Sequence, residues 1–210
     1  MGKNQMTRRE KEKIRHKNEI LVQALKLFSN KGYHNVSMQE IAEASEFGVG
    51  TLYKFFESKD ALFEELLNNC GENITSSLTA LLDCPGTEKE HLSNFFSFLP
   101  DLLEKHAEFI KLYVSEVGIH GAKISKKRDK SSYNIILSAK LEQIINNGIK
   151  KGYFRKVDSM ITAQAINSTL ETIAFELADR FDKTEAIDIF EKVRHLFLDG
   201  LLLPGDKTND

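Results

Sequence analysis

The sequence predicts an all-α fold of about nine helices: three short ones at the front, one long connector and five behind. Three observations carry this. Apolar residues recur at i, i+3, i+4 and i+7 along most of the chain, the spacing of one helix face. Strand-type alternation of β-branched residues is scarce, and only three Pro occur in 210 residues. Helix-capping signals punctuate the periodicity. A chain of 210 residues accommodates one large domain or two small ones. Its 41% apolar content suffices for a packed core, and its 29% charged content is ordinary for a soluble protein.

Residues 1–9 read as a flexible basic arm. A helix begins near Lys11, carries Leu21, Ala24, Leu25 and Phe28 on one face, and ends at Gly32 after a lysine-bearing last turn. Ser37-Met38-Gln39-Glu40 is a capping box, in which the Ser37 hydroxyl accepts from the Glu40 N–H and the Glu40 carboxylate reaches back. The short helix it opens buries Met38, Ile41 and Ala42 and ends near Ser45. A tight connection, EFGV, leads to a second short helix from about Gly48 to Phe55. Ser58 then caps a long helix to about Leu82, with Leu62, Leu66 and Leu67 on its apolar side.

Cys84-Pro85-Gly86 is the clearest break. Thr87-Glu88-Lys89-Glu90 is a second capping box, opening a helix to about Lys105 that Pro100 should kink. Helices from about His106 to Val117 and Ser131 to Lys151 flank a Gly/Lys-rich connection, Gly118–Lys130. Asp158 caps a helix to about Phe181, and Thr184 caps the last, to about Leu202. The organisation expected is an arm (1–9), a front unit (10–57), a connecting helix (58–82), a helical body (83–203) and a polar tail (204–210).

Net charge is −2, but it is unevenly spread. Residues 1–60 hold 11 Lys/Arg against 8 Asp/Glu, a net of +3, and residues 61–210 hold 18 against 23, a net of −5. A basic head on an acidic body fits a head that meets a polyanion. Cys70 and Cys84 form no CxxC pair, so small buried thiols are expected. The charged N-terminus has no signal-peptide pattern, and no run of about 18 apolar residues exists to span a membrane. A soluble, cytoplasmic protein without cofactor or metal is expected.

Two short helices joined by a tight turn form a helix-turn-helix, whose second helix suits the DNA major groove. Val49 and Thr51 are expected to project outward to base edges, and Gly50 to let backbone approach DNA. Tyr53, Lys54 and Lys59 supply a phenol and two ammonium groups for phosphates, which set register rather than sequence. Ser37, at a helix N-terminus, offers N–H groups to a further phosphate; Gln39 and Gly48 are counted with this DNA-facing set. Leu52 and Phe56 should be core.

These residues carry a family resemblance. IAEASEFGVGTLYKFFESKDALFEELL, Ile41 to Leu67, resembles the signature of the TetR (tetracycline repressor) family, roughly I-A-x-x-A-G-V-S-x-G-x-L-Y-x-x-F-x-x-K-x-x-L. Ile41, Ala42, Gly50, Leu52, Tyr53, Phe56, Lys59 and Leu62 match, and with the preceding helix the resemblance covers about residues 14–67. Glu46 and Gly48 depart from it, standing where a turn glycine and a serine are usual. Glutamate tolerates positive φ poorly, so an altered turn is expected. Gly48 lacks a hydroxyl to cap the next helix.

The resemblance implies a DNA-binding transcriptional regulator, a repressor released from a palindromic operator by a small-molecule effector. An activator of the same type is the alternative. It implies a homodimer in which the last two long helices form a four-helix interface, here through Leu170, Ile173, Ala174, Phe190, Val193 and Phe197. A two-fold dimer sets two reading helices about 34 Å apart. Phe95, Phe98, Leu102, Phe109, Tyr113 and Phe175 are the candidates for lining a largely apolar effector pocket.

Other chemistries fit less well. Gly48-x-Gly50 follows a helix, not a strand, and lacks a third glycine at dinucleotide-binding spacing. Glu116 and His120 stand at i, i+4 without a third metal ligand. Lys123–Lys130 is a basic run best read as a solvated loop. No nucleophile–base order, paired carboxylates or phosphate loop marks an enzyme, the remaining alternative.

Overall fold

Local capping chemistry decides where the helices begin. The computed structural model describes residues 6–116, 131–178 and 180–203. Its helices are α1 (Arg8–Lys31), α2 (Met38–Ala44), α3 (Val49–Phe55), α4 (Lys59–Leu82), α5 (Glu88–Lys105), α6 (Ala107–Glu116), α7 (Ser131–Lys150), α8 (Ser159–Leu177) and α9 (Lys183–Arg194). α9 runs on into a π-helical turn, His195–Asp199. Three full capping boxes start α1, α2 and α5, at Thr7/Glu10, Ser37/Glu40 and Thr87/Glu90. Ser58, Asp158 and Asp182 cap α4, α8 and α9 through one side-chain oxygen each.

Three expected boundaries move. α1 starts at Arg8, inside the presumed arm, because Thr7 and Glu10 cap it. α8 ends at Leu177, leaving Phe181 beyond it. The last helix is capped by Asp182 rather than Thr184, and its α-helical part stops at Arg194. α5 passes through Pro100 as one helix, with the ring buried. The Gly118–Lys130 connection, His120 and the 204–210 tail lie outside the described residues.

Two hydrophobic clusters organise the molecule. The head cluster joins Ile20, Ala24 and Phe28 of α1, Ile41 of α2 and Leu52 of α3 to Leu62, Phe63, Leu66 and Leu67 of α4, and takes in Phe109 and Leu112 of α6. The body cluster joins Leu78 and Leu82 of α4 to α5, α7, α8, α9 and the π turn. The front unit therefore does not close its core alone: α4 and α6 complete it. α4, about 36 Å long at 1.5 Å per residue, is shared by both clusters. Ile74 and Ile110 touch both.

The C-terminal segment closes the body. The π turn places Leu198 inward five residues after Val193, and brings Leu201 and Leu202 onto the core. Phe197 stacks on Phe96 of α5, ring centroids 6.2 Å apart. Leu202 bridges to Phe154, and the Arg155 N–H donates to the Leu201 carbonyl at 2.8 Å. α7 ends at Gly152, φ 76°, a left-handed stop that glycine adopts without strain. Buried Glu88, at the start of α5, pairs with Lys151 at 2.6 Å. Burial opposes ionisation of Glu88, but Lys151 and the backbone outweigh it and hold the carboxyl below its usual range.

Phe154 packs directly against Gly148 of α7, where a Cβ would overlap its ring. Gly148→Ala should therefore destabilise the protein by about 1–3 kcal/mol through overpacking. Urea unfolding of the pair of proteins measures this; an unchanged midpoint would show that Phe154 has free space to move.

Candidate nucleic-acid interface

The turn between α2 and α3 keeps its tight geometry despite its glutamate. Glu46 has φ 60°, and it alone among the described non-glycine residues is positive. The Ser45 N–H returns to the Ile41 carbonyl at 3.0 Å and the Phe47 N–H to Ala42 at 2.9 Å. The glutamate is held in the left-handed region by hydrogen bonds on either side and by Phe47 against the head cluster.

α3 begins at Gly48, which has extended backbone and no side-chain cap; its carbonyl accepts from the Thr51 N–H at 2.8 Å. Leu52 is fully buried and Phe56 nearly so, which anchors the helix by one face. Tyr53 and Lys54 are exposed and Thr51 is half-buried. Val49, expected to project outward, instead packs in part against the head cluster, as does Phe55. The reason is periodicity: Val49, Leu52 and Phe56 fall at i, i+3, i+7, on one stripe. A Cβ at Gly48 or Gly50 would meet nothing within 4 Å. The fold itself does not require glycine there, although glycine inside a helix costs about 1 kcal/mol relative to alanine. Their bare backbone leaves clearance for something outside the chain.

Ser37 and Gln39 lie exposed at the start of α2. The Glu40 carboxylate accepts from the Ser37 N–H at 2.8 Å and from Lys31 at 2.9 Å. Lys31, then Ser37, holds its pKa down to about 2. Gln39 donates to Glu43 at 3.2 Å.

Lys59 departs from its expected place. Its ammonium donates to the Tyr33 and Val36 carbonyls at 3.0 and 2.9 Å and lies 4.4 Å from the centre of the Tyr33 ring. Two of its three N–H groups are thus spent on the α1–α2 loop, because Lys59 opens α4 directly beneath that loop. Tyr33 gathers more contacts: its hydroxyl donates to the Asp60 carboxylate, and its N–H to Glu116 of α6 at 3.0 Å. Burial, then the Asp60 contact, pushes the phenol above its ordinary pKa. Sequence reasoning missed this node. Tyr33 and Glu116 are 83 residues apart, and no local pattern pairs them.

The expected pocket residues divide between the clusters. Phe95 and Leu102 are body core, with Phe98 packed against it; Phe109 belongs to the head cluster, with Tyr113 packed there. Tyr113 meets Phe175 edge-on at 6.1 Å. None of the six lines the small apolar cleft between α6 and α8, which is bounded by Leu103, Ala107, Ile110, Ala174, Leu177 and neighbouring residues. The expected dimer residues contribute to the protomer's own packing. Leu170, Ile173, Phe190 and Val193 are buried in the body cluster, Ala174 and Phe197 pack on it, and Ala174 also lines the cleft.

A helix-turn-helix whose second helix buries Leu52 and turns Tyr53 and Lys54 outward is the arrangement of a DNA-binding regulator. The chain matches the family model "Bacterial regulatory proteins, tetR family" over residues 20–66, and "Tetracyclin repressor-like, C-terminal domain" over residues 89–188. It belongs to the TetR family of transcriptional regulators. It is 28% identical over 201 residues to the transcriptional repressor NicS of Pseudomonas putida, covering 89% of this chain and 92% of that one. It is 30% identical over 108 residues to the regulator YuxN of Bacillus subtilis, spanning 51% of this chain and 35% of the length of that relative. The solved structure of the fatty acid degradation regulator FadR from Bacillus halodurans shares the fold, with a TM-score of 0.71 at 20% identity, over 88% of this chain and 95% of that one. Among the described residues no helix is long and apolar enough to cross a membrane, and no cluster of metal-ligating side chains occurs.

Glu46→Gly should raise stability by up to about 1 kcal/mol, the left-handed strain of an L-residue less the greater chain entropy of glycine. Glu46→Ala, which removes the charge and keeps the strain, should give no such gain. Equal midpoints for the two variants in urea would show that φ is not the cause.

Proposed function

We propose that this chain is a homodimeric repressor that reads a palindromic operator with α3 and is released by a largely apolar small molecule entering the body. The carrying observation is the outer face of α3. Thr51, Tyr53 and Lys54 stand beside the unfilled space at Gly48 and Gly50. In this arrangement Thr51 meets a base edge. Tyr53, Lys54 and the remaining N–H of Lys59 hold phosphates, with Ser37 and Gln39 at the opposite groove wall.

The dimer face would be the outward stripe of α8, Ile161, Ala165, Ser168 and Thr172, with Ile187 of α9 and Leu196 of the π turn. Ile161 is 61% and Leu196 68% exposed, unusual for residues of that size. Small residues along α8 permit close approach of a partner helix.

The switch would run through α6. Ile110 lines the cleft and touches both clusters, while Glu116, at the far end of the same helix, holds the Tyr33 N–H. The cleft has room for no more than about one water, far below the roughly 300 Å³ of a typical small-ligand site. An effector must therefore part α6 from α8, and the displacement pulls on the α1–α2 loop at Tyr33. Effector and operator affinities are then reciprocally coupled.

Selection from random duplex DNA should enrich a palindrome with half-sites about one helical turn apart; no enrichment at any salt would sink the repressor reading. Thr51→Ala should relax preference at one or two positions per half-site by about 1–3 kcal/mol, whereas Tyr53→Phe and Lys54→Ala should weaken all sequences alike. Uniform weakening by Thr51→Ala would show that it reads no base.

The α6 route has its own test. Ala174→Phe, which fills the cleft, should lower operator affinity about tenfold, within the usual range of coupling energies. Adding Glu116→Ala should restore most of it. Undiminished operator binding by folded Ala174→Phe protein would discard this route.

A further inference from the structure

The first turns of α1 stand clear of the rest of the molecule. Arg8 through Arg15 are all exposed, and the first buried side chain of the helix is Ile20. Eight residues make roughly 12 Å of helix projecting beyond the head. A free helix end of this length frays unless something holds it. Here the capping box does: the Glu10 N–H donates to Thr7 Oγ1 at 3.3 Å, and Glu10 Oε2 accepts from the Thr7 N–H at 2.7 Å. Arg8–Glu12 and Arg15–Glu19 add ion pairs one turn apart.

The root of this projection is fixed against both ends of α3. The His16 ring packs on Phe47, the residue before the α3 N-cap, with centroids 5.1 Å apart. Lys17 lies 5.5 Å from the centre of the ring of Phe56, the α3 C-cap. Arg9 and Lys13 precede His16 at i−7 and i−3, so they share the helix face that His16 turns toward the DNA-reading turn. Neither has a side-chain ion pair among the described residues. Lys11 lies about 200° around the helix from Arg9, on the far side. The segment offers no apolar stripe for a protein or lipid partner, since Ile14 is its one large apolar side chain.

We propose that Arg9 and Lys13 grip backbone phosphates of the duplex flanking the base pairs read by α3, giving each head a second, sequence-independent foothold. The charge is complementary, the surface is continuous with α3, and the rigid helix delivers both cations in one register. This rests on the DNA-binding reading above.

The test measures operator affinity against salt for the full-length protein, on a duplex extending well past the palindrome. Arg9→Gln/Lys13→Gln keeps good helix formers and removes two charges. The log–log slope should fall by about 1.8 per bound protomer, specific and non-specific DNA should weaken alike, and the nuclease footprint should shorten at both edges. Lys11→Gln, with the same charge loss per residue on the other face, should leave slope and footprint nearly unchanged. Circular dichroism checks that the helix persists in each variant. An unchanged slope in the double variant overturns the proposal while leaving DNA binding intact. An equal per-charge loss in Lys11→Gln overturns it too, since that would mean diffuse attraction rather than a placed contact. Wild-type protein that binds no duplex would remove the DNA-binding reading itself.

Discussion

Tyr33 is where the parts of this molecule are tied together. Its ring packs with Phe28 of α1 and Phe63 of α4, at centroid distances of 5.4 and 4.6 Å. Its hydroxyl engages Asp60, its carbonyl accepts from Lys59, and its N–H donates to Glu116. One loop residue therefore joins the first helix, the connecting helix and α6. Because Tyr33 is buried and Lys59 and Glu116 are half-buried, losing one partner strands another. The Tyr33 contacts tie the α1–α2 loop, and so the head, to α4 and α6.

Sharing of elements extends the same theme. α4 lends its first half to the head and its last turns to the body, and α6 lends Phe109 and Leu112 to the head while Ile110 faces the body as well. A movement of α6 is thus also a change in head packing. Packed cores resist gradual deformation, so such a change favours two discrete arrangements over a continuum.

Much of the fold was legible in the sequence because its information is local. Capping boxes at Ser37 and Thr87, the cap at Ser58 and the stop at Gly32 act within four residues, and the structure places them as read. Thr7-x-x-Glu10 is an equally local signal, and it carries α1 three residues further than periodicity alone. The site was legible where one face of one short helix decides exposure, as at Leu52, Tyr53 and Lys54. It was not legible where a side chain chooses between solvent and a distant segment. Lys59 looked like a surface cation and found two carbonyls in the α1–α2 loop. Leu170, Ile173, Phe190 and Val193 illustrate a second limit: periodicity identifies an apolar face but not which neighbour covers it.

α3 has little to hold it on its own. It has seven residues, a glycine N-cap without a side-chain bond, a second glycine within its first turn and one fully buried side chain. Such a helix opens locally at far lower free energy than the core beneath it. Its amides exchange with solvent by these brief openings, without global unfolding. Association with a groove that accepts the bare backbone then completes the order of the helix. In the proposed binding mode, part of the binding entropy would be set by how often α3 is already formed.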